Sequence, residues 1–314
     1  MGRTAVFAIP MRTPFRGQTV RTGMLIEGPA GWAEFSPFPE YGPEESARWL
    51  AAAREAAFSS WPPPVRSVIP VNCTVPAVGP EAAAAIVRAS GCRTAKVKVG
   101  EPGQGDGADL ARVEAVRDAL GPSGRLRVDA NGAWAPDEAA RMIRLLDRSD
   151  LEYVEQPCAT LDELSDVRRR VDVPVAADES IRRATDPRRV AVAEAADIAV
   201  LKVQPLGGVR RALEVAEACR LPAVVSSALE TSVGLAAGVA LAAALPELPF
   251  ACGLATLSLL STDVCADPLA AVDGEIAVRR PVPEDSLLSA AAADASVTAT
   301  WQARLHQVES ILDP

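Results

Sequence analysis

Apolar residues recur along the chain in two rhythms. Over the first sixty positions, alternating stretches such as Val6-Phe7-Ala8-Ile9 are broken by turn clusters at Gly28-Pro29 and from Pro37 to Pro43. That pattern predicts a short antiparallel sheet and then a helix opening at Pro43, where a residue lacking an N–H suits the first turn. After Trp61-Pro62-Pro63-Pro64, which reads as a linker, short β-branched runs alternate with alanine-rich amphipathic segments that start at Pro or Asp and often end at Gly. The eight apolar runs lie near Val71-Cys73, Ala95-Val99, Leu126-Val128, Tyr153-Val154, Val175-Ala177, Ile198-Val203, Ala223-Val225 and Phe250-Cys252. Seven helical patterns separate them, among them 106–120 ahead of Gly121 and 208–220 ahead of Leu221-Pro222.

Such alternation predicts a parallel sheet with crossover helices. Eight strands with seven intervening helices suit a closed (β/α) barrel over 69–265 better than an open doubly wound sheet, and no G-x-G-x-x-G opens any helix. The last fifty residues break the rhythm, with a predicted strand at Glu275-Val278 and a helix around 300–312. They pack most simply back on the N-terminal unit.

Composition changes this picture by exclusion. At 314 residues, 49% hydrophobic and 23% charged, the chain is globular and long enough for one large domain and a smaller one. With 41 acidic against 32 basic residues the net charge is −9, which gives no general pull toward nucleic acid or an anionic membrane but allows a local cationic pocket. The expected partner is a small-molecule carboxylate substrate, with no nucleic acid and no membrane, for a monomer or small homo-oligomer.

Six scattered cysteines (Cys73, Cys92, Cys158, Cys219, Cys252, Cys265) form no C-x-x-C pair and read as small buried residues in a reducing compartment. Pro10 breaks the apolar run from Ala5, so no signal peptide is expected, and the longest apolar stretch, Val233 to Leu245, is far too short to span a membrane. The expected location is cytoplasmic. The single histidine, His306, leaves Ser-His-Asp, Cys-His and multi-histidine metal chemistry as poor candidates.

In such a barrel, active groups sit at the C-terminal ends of strands, where a polar residue interrupts an apolar run. Five of the eight runs end that way: Lys96 and Lys98 in Ala-Lys-Val-Lys-Val, Asp129, Glu155, Asp178 and Lys202. From Lys98 onward the steps are 31, 26, 23 and 24 residues, one strand-helix unit each. With neighbouring strands about 4.8 Å apart, the carboxylates of Asp129, Glu155 and Asp178 are predicted to converge on one hard cation. Mg²⁺ fits, with Mn²⁺ as the alternative, because it takes few protein ligands and leaves positions open for substrate oxygens.

The lysines fall on the second and sixth runs, four steps apart around eight, and so on opposite sides of that ion. Alternation sends Lys96 and Lys98 to the same side, a like-charge couple predicted to depress both pKa values. To act as a base near neutrality a lysine needs a drop of roughly three units, about 4 kcal/mol. Each residue alone has a plainer reading, as a helix cap or a buried salt bridge. Their joint order is hard to obtain as unrelated ion pairs, since buried unpaired charge is heavily penalised.

These residues, as Lys96-Val97-Lys98, Asp129-Ala130-Asn131-Gly132-Ala133-Trp134, Glu155-Gln156-Pro157, Asp178-Glu179-Ser180 and Lys202, resemble the enolase superfamily. Within it the chain is most similar to the o-succinylbenzoate synthase family, through Lys202-Val203-Gln204-Pro205-Leu206-Gly207-Gly208 and Ser226-Ser227-Ala228-Leu229-Glu230-Thr231-Ser232. The likeness spans nearly the whole chain and is strongest from 70 to 260.

The resemblance implies an α/β fold, a (β/α)7β modified TIM barrel under an α+β capping domain to which 1–68 and 266–314 contribute. It implies a Mg²⁺-dependent syn-dehydration of 2-succinyl-6-hydroxy-2,4-cyclohexadiene-1-carboxylate to 2-succinylbenzoate in menaquinone biosynthesis, with the ring carboxylate on the metal. Lys98 then matches the group that removes the α-proton and protonates the departing hydroxide, and Lys202 the group that stabilises the anion from the other face. Lys96 and Asn131 are expected to bind substrate, Asn131 by orienting the metal-bound carboxylate. Ser226 and Ser227 are expected to line the succinyl side. Arg16, in Pro14-Phe15-Arg16-Gly17-Gln18-Thr19, belongs either to a loop closing over the barrel mouth or to a plain hairpin turn. Gly207-Gly208 either opens a helix toward a carboxylate or acts as a hinge.

Two other readings stay open. Opposed lysines also suit an N-acylamino acid racemase or dipeptide epimerase, whereas the lack of a histidine base argues against mandelate-racemase-like chemistry. A non-catalytic barrel binding an acidic metabolite would use the same charges only to hold its fold.

Overall fold

The computed structural model describes residues 2–15, 17–182 and 194–312. The alternating N-terminal segments form strands β1 (Thr4–Phe15), β2 (Gln18–Gly28) and β3 (Gly31–Phe35), joined in that order as an antiparallel sheet. Helix α1 (Pro43–Phe58) opens on Pro43 with Glu44 and Glu45 in its first turn, where carboxylates favour the N-terminal end of the helix dipole. It buries Ala47, Trp49, Leu50, Ala53 and Ala57 against the sheet.

After a short strand β4 (Val68–Pro70), seven parallel strands follow: β5 (Cys73–Val75), β6 (Thr94–Lys98), β7 (Arg125–Asp129), β8 (Leu151–Glu155), β9 (Val175–Ala177), β10 (Ile198–Leu201) and β11 (Ala223–Val225). They neighbour one another in chain order. Crossover helices include α2 (Pro80–Ser90), α3 (Asp106–Leu120), α4 (Pro136–Leu146) and α5 (Leu161–Arg168), with α6 (Glu179–Arg182) directly after β9.

The eighth run is no full strand. Cys252 and Gly253 make single parallel bridges to Val71 on one side and Ser226 on the other, through Asn72 N to Cys252 O at 2.9 Å and Gly253 N to Val225 O at 2.8 Å. Two residues are enough to close the ring. Below the site the interior is filled by Arg127, whose guanidinium carbon lies 4.6 Å from the Tyr153 ring centre and 5.8 Å from that of Phe250.

Helix α5 has a capping box: Thr160 Oγ1 accepts from Glu163 N, and the Glu163 carboxylate accepts from Thr160 N. Thr160→Ala should therefore lower unfolding stability by about 1 kcal/mol in a urea titration.

The last fifty residues divide their contacts. Strand β12 (Glu275–Ala277) pairs antiparallel with β4. The helix Ala295–Leu312 instead lies on α1 and on the N-terminal sheet, with Trp301 edge-on to Phe35 at 5.7 Å and Arg304 bonded to the carbonyls of Pro37, Phe38 and Tyr41. All six cysteines are buried. Among the described residues, no helix is long and apolar enough to cross a membrane.

The glycine pair resolves between its two readings. Gly208, at φ 129°, caps the helix Val209–Cys219, whose first N–H groups (Val209 and Arg210) donate to the carboxylate of Glu55 on α1. A Cβ on Gly208 would overlap a Glu55 oxygen. The helix N-terminus does meet a carboxylate, but one belonging to the protein, and the contact docks α1 on the barrel.

Candidate active site

The pleat decides which side chains enter the barrel. On β6, Ala95 and Val97 join the apolar core while Lys96 and Lys98 point inward, and the ladder sets Lys98 opposite Asp129 and Asp129 opposite Glu155. Asp178 and Lys202 follow immediately after β9 and β10. All six side chains are buried at the same end of the barrel.

The cations and anions interleave. Lys98 Nζ donates to Asp129 Oδ2 and to Asn131 Oδ1, both at 2.5 Å. Lys96 Nζ lies 3.1 Å from Asp129 Oδ2 and 2.8 and 2.9 Å from the two Glu155 oxygens. Asp178 accepts from Lys202 Nζ at 2.6 Å and from Arg182 Nε at 3.0 Å.

One expectation is corrected by these contacts. The like-charge couple does not depress Lys96: burial alone would lower it, but the charges of Glu155 and Asp129 outweigh burial and hold its pKa well above the ordinary lysine value. Among the described residues no group of three His, Cys, Asp or Glu side chains is arranged to hold a metal ion, because each carboxylate here faces a lysine or arginine.

The donor chemistry nonetheless fits a hard dication. Burial and the nearby charges of Asp129 and Asp178 push Glu155 up to about 7, against the pull of Lys96. Asp129 is held well below the carboxylate range, since Lys98 and Lys96 more than offset its burial. Lys202 is lowered, chiefly by burial, with Arg182 adding to the effect and Asp178 opposing it. Three buried oxygen donors on adjacent strand ends, crowded enough to raise one of them, are the kind of set that Mg²⁺ or Mn²⁺ takes.

Above this row lies a small cavity of about 30 Å³ whose lining, among the described residues, includes Lys96, Lys98, Lys202, Asn131, Ser226 and Ser227, and no carboxylate side chain. Three ammonium groups reach this lining, each held from beneath by a carboxylate, and they are the groups through which the cavity can take an anion. Lys98 and Lys202 enter from opposite walls, on staves four apart in the ring.

The predicted binding residues differ in what they do. Asn131 sits in the left-handed region at φ 47°, which a short polar side chain tolerates, and its amide oxygen holds Lys98. Ser227 lines the cavity while bonding Thr256 Oγ1 at 2.6 Å and accepting from Leu229 N at 2.8 Å. Ser226 lines it beside Gly253. Arg16 lies outside the described residues. Its neighbour Phe15 ends β1 opposite Gln18, so the strands meet as a hairpin, and the Phe15 ring comes within 5.3 Å of Lys98 Nζ.

Sequence reasoning missed several neighbours. Arg182 bonds Asp178, Glu179 and the Tyr41 hydroxyl, and Glu179 is pushed up to about 7 by burial and by Asp178. Arg182 stands four positions after Asp178 and three after Glu179, a usable signal for one helical turn of ion pairs. Phe38 carried none, since it reaches the cavity from the N-terminal unit.

Comparison with known proteins accords with this geometry. Residues 6–57 match the family described as Enolase N-terminal domain-like, and residues 80–283 that described as Enolase C-terminal domain-like. The chain is 70% identical to an o-succinylbenzoate synthase of Thermobifida fusca over 95% of its length and 93% of the relative's. It is 53% identical to one of Mycolicibacterium smegmatis over 99% and 96% of the two chains. Among solved structures, 2-chloromuconate cycloisomerase from Rhodococcus opacus superposes with a TM-score of 0.80 over 93% of this chain and 99% of the other, at 22% identity, a likeness of fold.

Proposed function

The chain belongs to the o-succinylbenzoate synthase family of the enolase superfamily, and from that premise we propose that it dehydrates 2-succinyl-6-hydroxy-2,4-cyclohexadiene-1-carboxylate to 2-succinylbenzoate, a step of menaquinone biosynthesis. The observation that carries the assignment to residues is the placement of Lys98 and Lys202 on opposite walls of one cavity.

Asp129, Glu155 and Asp178 would hold Mg²⁺, or Mn²⁺ in its place, which supplies positive charge to the ring carboxylate of the substrate. Lys98 in its neutral form takes the proton from the carbon bearing that carboxylate, and the electron pair moves into the carboxylate as an enediolate. The pair then returns to form the ring double bond as the C–O bond on the adjacent carbon breaks. The ammonium of Lys98 gives its proton to the departing hydroxide, so water leaves from the same face and the ring becomes aromatic. The Lys202 ammonium faces the anion from the other wall, where low dielectric makes its charge worth several kcal/mol. Asn131 holds Lys98 in line through its amide oxygen. Phe15 and Phe38 help exclude water from above.

Opposed lysines favour one further reading, proton removal on one face and return on the other, as racemisation of an N-acylamino acid or epimerisation of a dipeptide requires. Both substrates should be tested side by side with Mg²⁺, following 2-succinylbenzoate formation and deuterium uptake into an N-succinylamino acid. Rapid aromatisation is expected. Deuterium uptake without any 2-succinylbenzoate would overturn the dehydratase assignment in favour of the racemase.

Dialysis against a chelator should reduce turnover to background, with Mg²⁺ or Mn²⁺ restoring it. Calorimetry should find one divalent-ion site, weakened at least about tenfold in Glu155→Gln. Unchanged binding in that variant would remove Glu155 from the ligand set.

A further inference from the structure

A second buried cluster of charge lies at the seam between the N-terminal sheet and the barrel, and no step above uses it. Glu34 on β3, fully inside the protein, accepts from Thr231 N at 3.0 Å, Thr231 Oγ1 at 2.6 Å and Ser36 Oγ at 2.6 Å. Arg21 on β2 donates from Nε to Leu229 O at 2.8 Å and from Nη2 to Ser36 Oγ at 2.9 Å. Glu230 accepts from Ala228 N at 2.7 Å. A Cβ on Gly234, at the start of the next helix, would stand 2.8 Å from Glu34 Oε2, so the barrel leaves room for this carboxylate only because that position is glycine.

Four of these six bonds reach the segment 226–231, four residues of which line the cavity. The segment is not in a relaxed form. Leu229 has φ 65°, a left-handed backbone that a leucine adopts only when its surroundings hold it there. Arg21 grips its carbonyl and Ser227 Oγ its amide. Burial and the charge of Glu230 push Glu34 up to about 7, with Arg21 pulling it back, which marks an acid confined by its neighbours.

Position in the ring says which part of a ligand this wall meets. The proposed metal-binding carboxylates follow β7, β8 and β9, and the staves opposite are β11, 252–253 and β5. The 226–229 wall is thus across the cavity from the substrate carboxylate, where the 2-succinyl chain has to lie.

We propose that Glu34 and Arg21 are positioning residues which hold 226–231 in its strained shape and so set the fit of the cavity to the side chain distal to the ring carboxylate. The proposal rests on the dehydratase reading. Neither residue touches substrate, and their loss should weaken binding of that side chain while the chemistry at Lys98 continues.

The experiment compares wild type, Glu34→Ala, Glu34→Gln and Thr231→Val, all as Mg²⁺-loaded full-length protein. It reads KM and kcat for the cyclohexadiene substrate and the Kd of two product-like ligands, 2-succinylbenzoate and benzoate. In Glu34→Ala, KM and the Kd of 2-succinylbenzoate should rise by more than about tenfold, with kcat and the Kd of benzoate within about threefold. Glu34→Gln, which keeps an acceptor for Thr231, should recover most of the loss. Equal weakening of both ligands, no weakening, or a fall in kcat at unchanged KM would overturn the proposal. If Glu34→Ala fails to fold, Thr231→Val, which removes one bond at nearly constant volume, decides by the same criteria. A wild type that neither turns over the substrate nor binds 2-succinylbenzoate would instead mark failure of the dehydratase reading.

Discussion

Replacing Lys98 by alanine is expected to lower kcat by about 10²- to 10⁴-fold, the range lost when a positioned acid-base group is removed. Among the described residues no other group on the Lys98 wall stands ready to take over, and Lys202 faces the opposite side. Lys96 is bound to both Glu155 oxygens and to Asp129, and the chain's single histidine lies in the C-terminal helix, exposed and away from the cavity. The fold should survive, because Asp129 keeps Lys96 as a partner.

Lys98→Arg sharpens the result. A guanidinium preserves the positive charge beside Asp129 but cannot become neutral in a protein, so it can anchor an anion and cannot remove a proton. Activity should stay lost in the arginine variant while 2-succinylbenzoate binding is retained. Turnover within about tenfold of wild type in either variant would show that Lys98 is an electrostatic anchor and that the base lies elsewhere.

The second large effect is on stability. Asp178 is fully buried, and its two oxygens neutralise Lys202 and Arg182, both buried. Asp178→Ala strips the acid from two cations that cannot reach bulk water, which costs about 3–5 kcal/mol. Arg182 retains Glu179 and the Tyr41 hydroxyl, so the larger share of the loss falls on Lys202. Urea unfolding of the metal-free protein isolates this contribution from that of any bound ion. A loss under about 1 kcal/mol would mean that Lys202 sheds its proton or turns to solvent, as an exposed ion pair allows, and the buried opposed-lysine geometry would have to be abandoned.

The strand-end residues and the fold class were legible because both follow from local covalent geometry. Alternation along Ala95-Lys96-Val97-Lys98 places both lysines inward whatever surrounds them. The steps of 31, 26, 23 and 24 residues repeat because one strand, one helix and two turns need about that much chain. Hydrophobic periodicity, read alone, therefore specified the barrel, the end at which the charges gather and the opposition of Lys98 to Lys202.

Tertiary structure alone decided the rest, since it depends on which groups from distant parts of the chain come within a few ångströms. Lys96 is raised rather than lowered because Glu155, 59 positions away, sits closer to it than periodicity can specify. The ring is closed by Cys252 and Gly253, too short a segment to register as a strand. Glu55 seals the helix at Val209, and Arg21 with Glu34 holds Leu229 in a left-handed turn. Those partners lie about 150 to 210 residues apart along the sequence, and only the closed fold, with its low dielectric and fixed distances, turns them into energy.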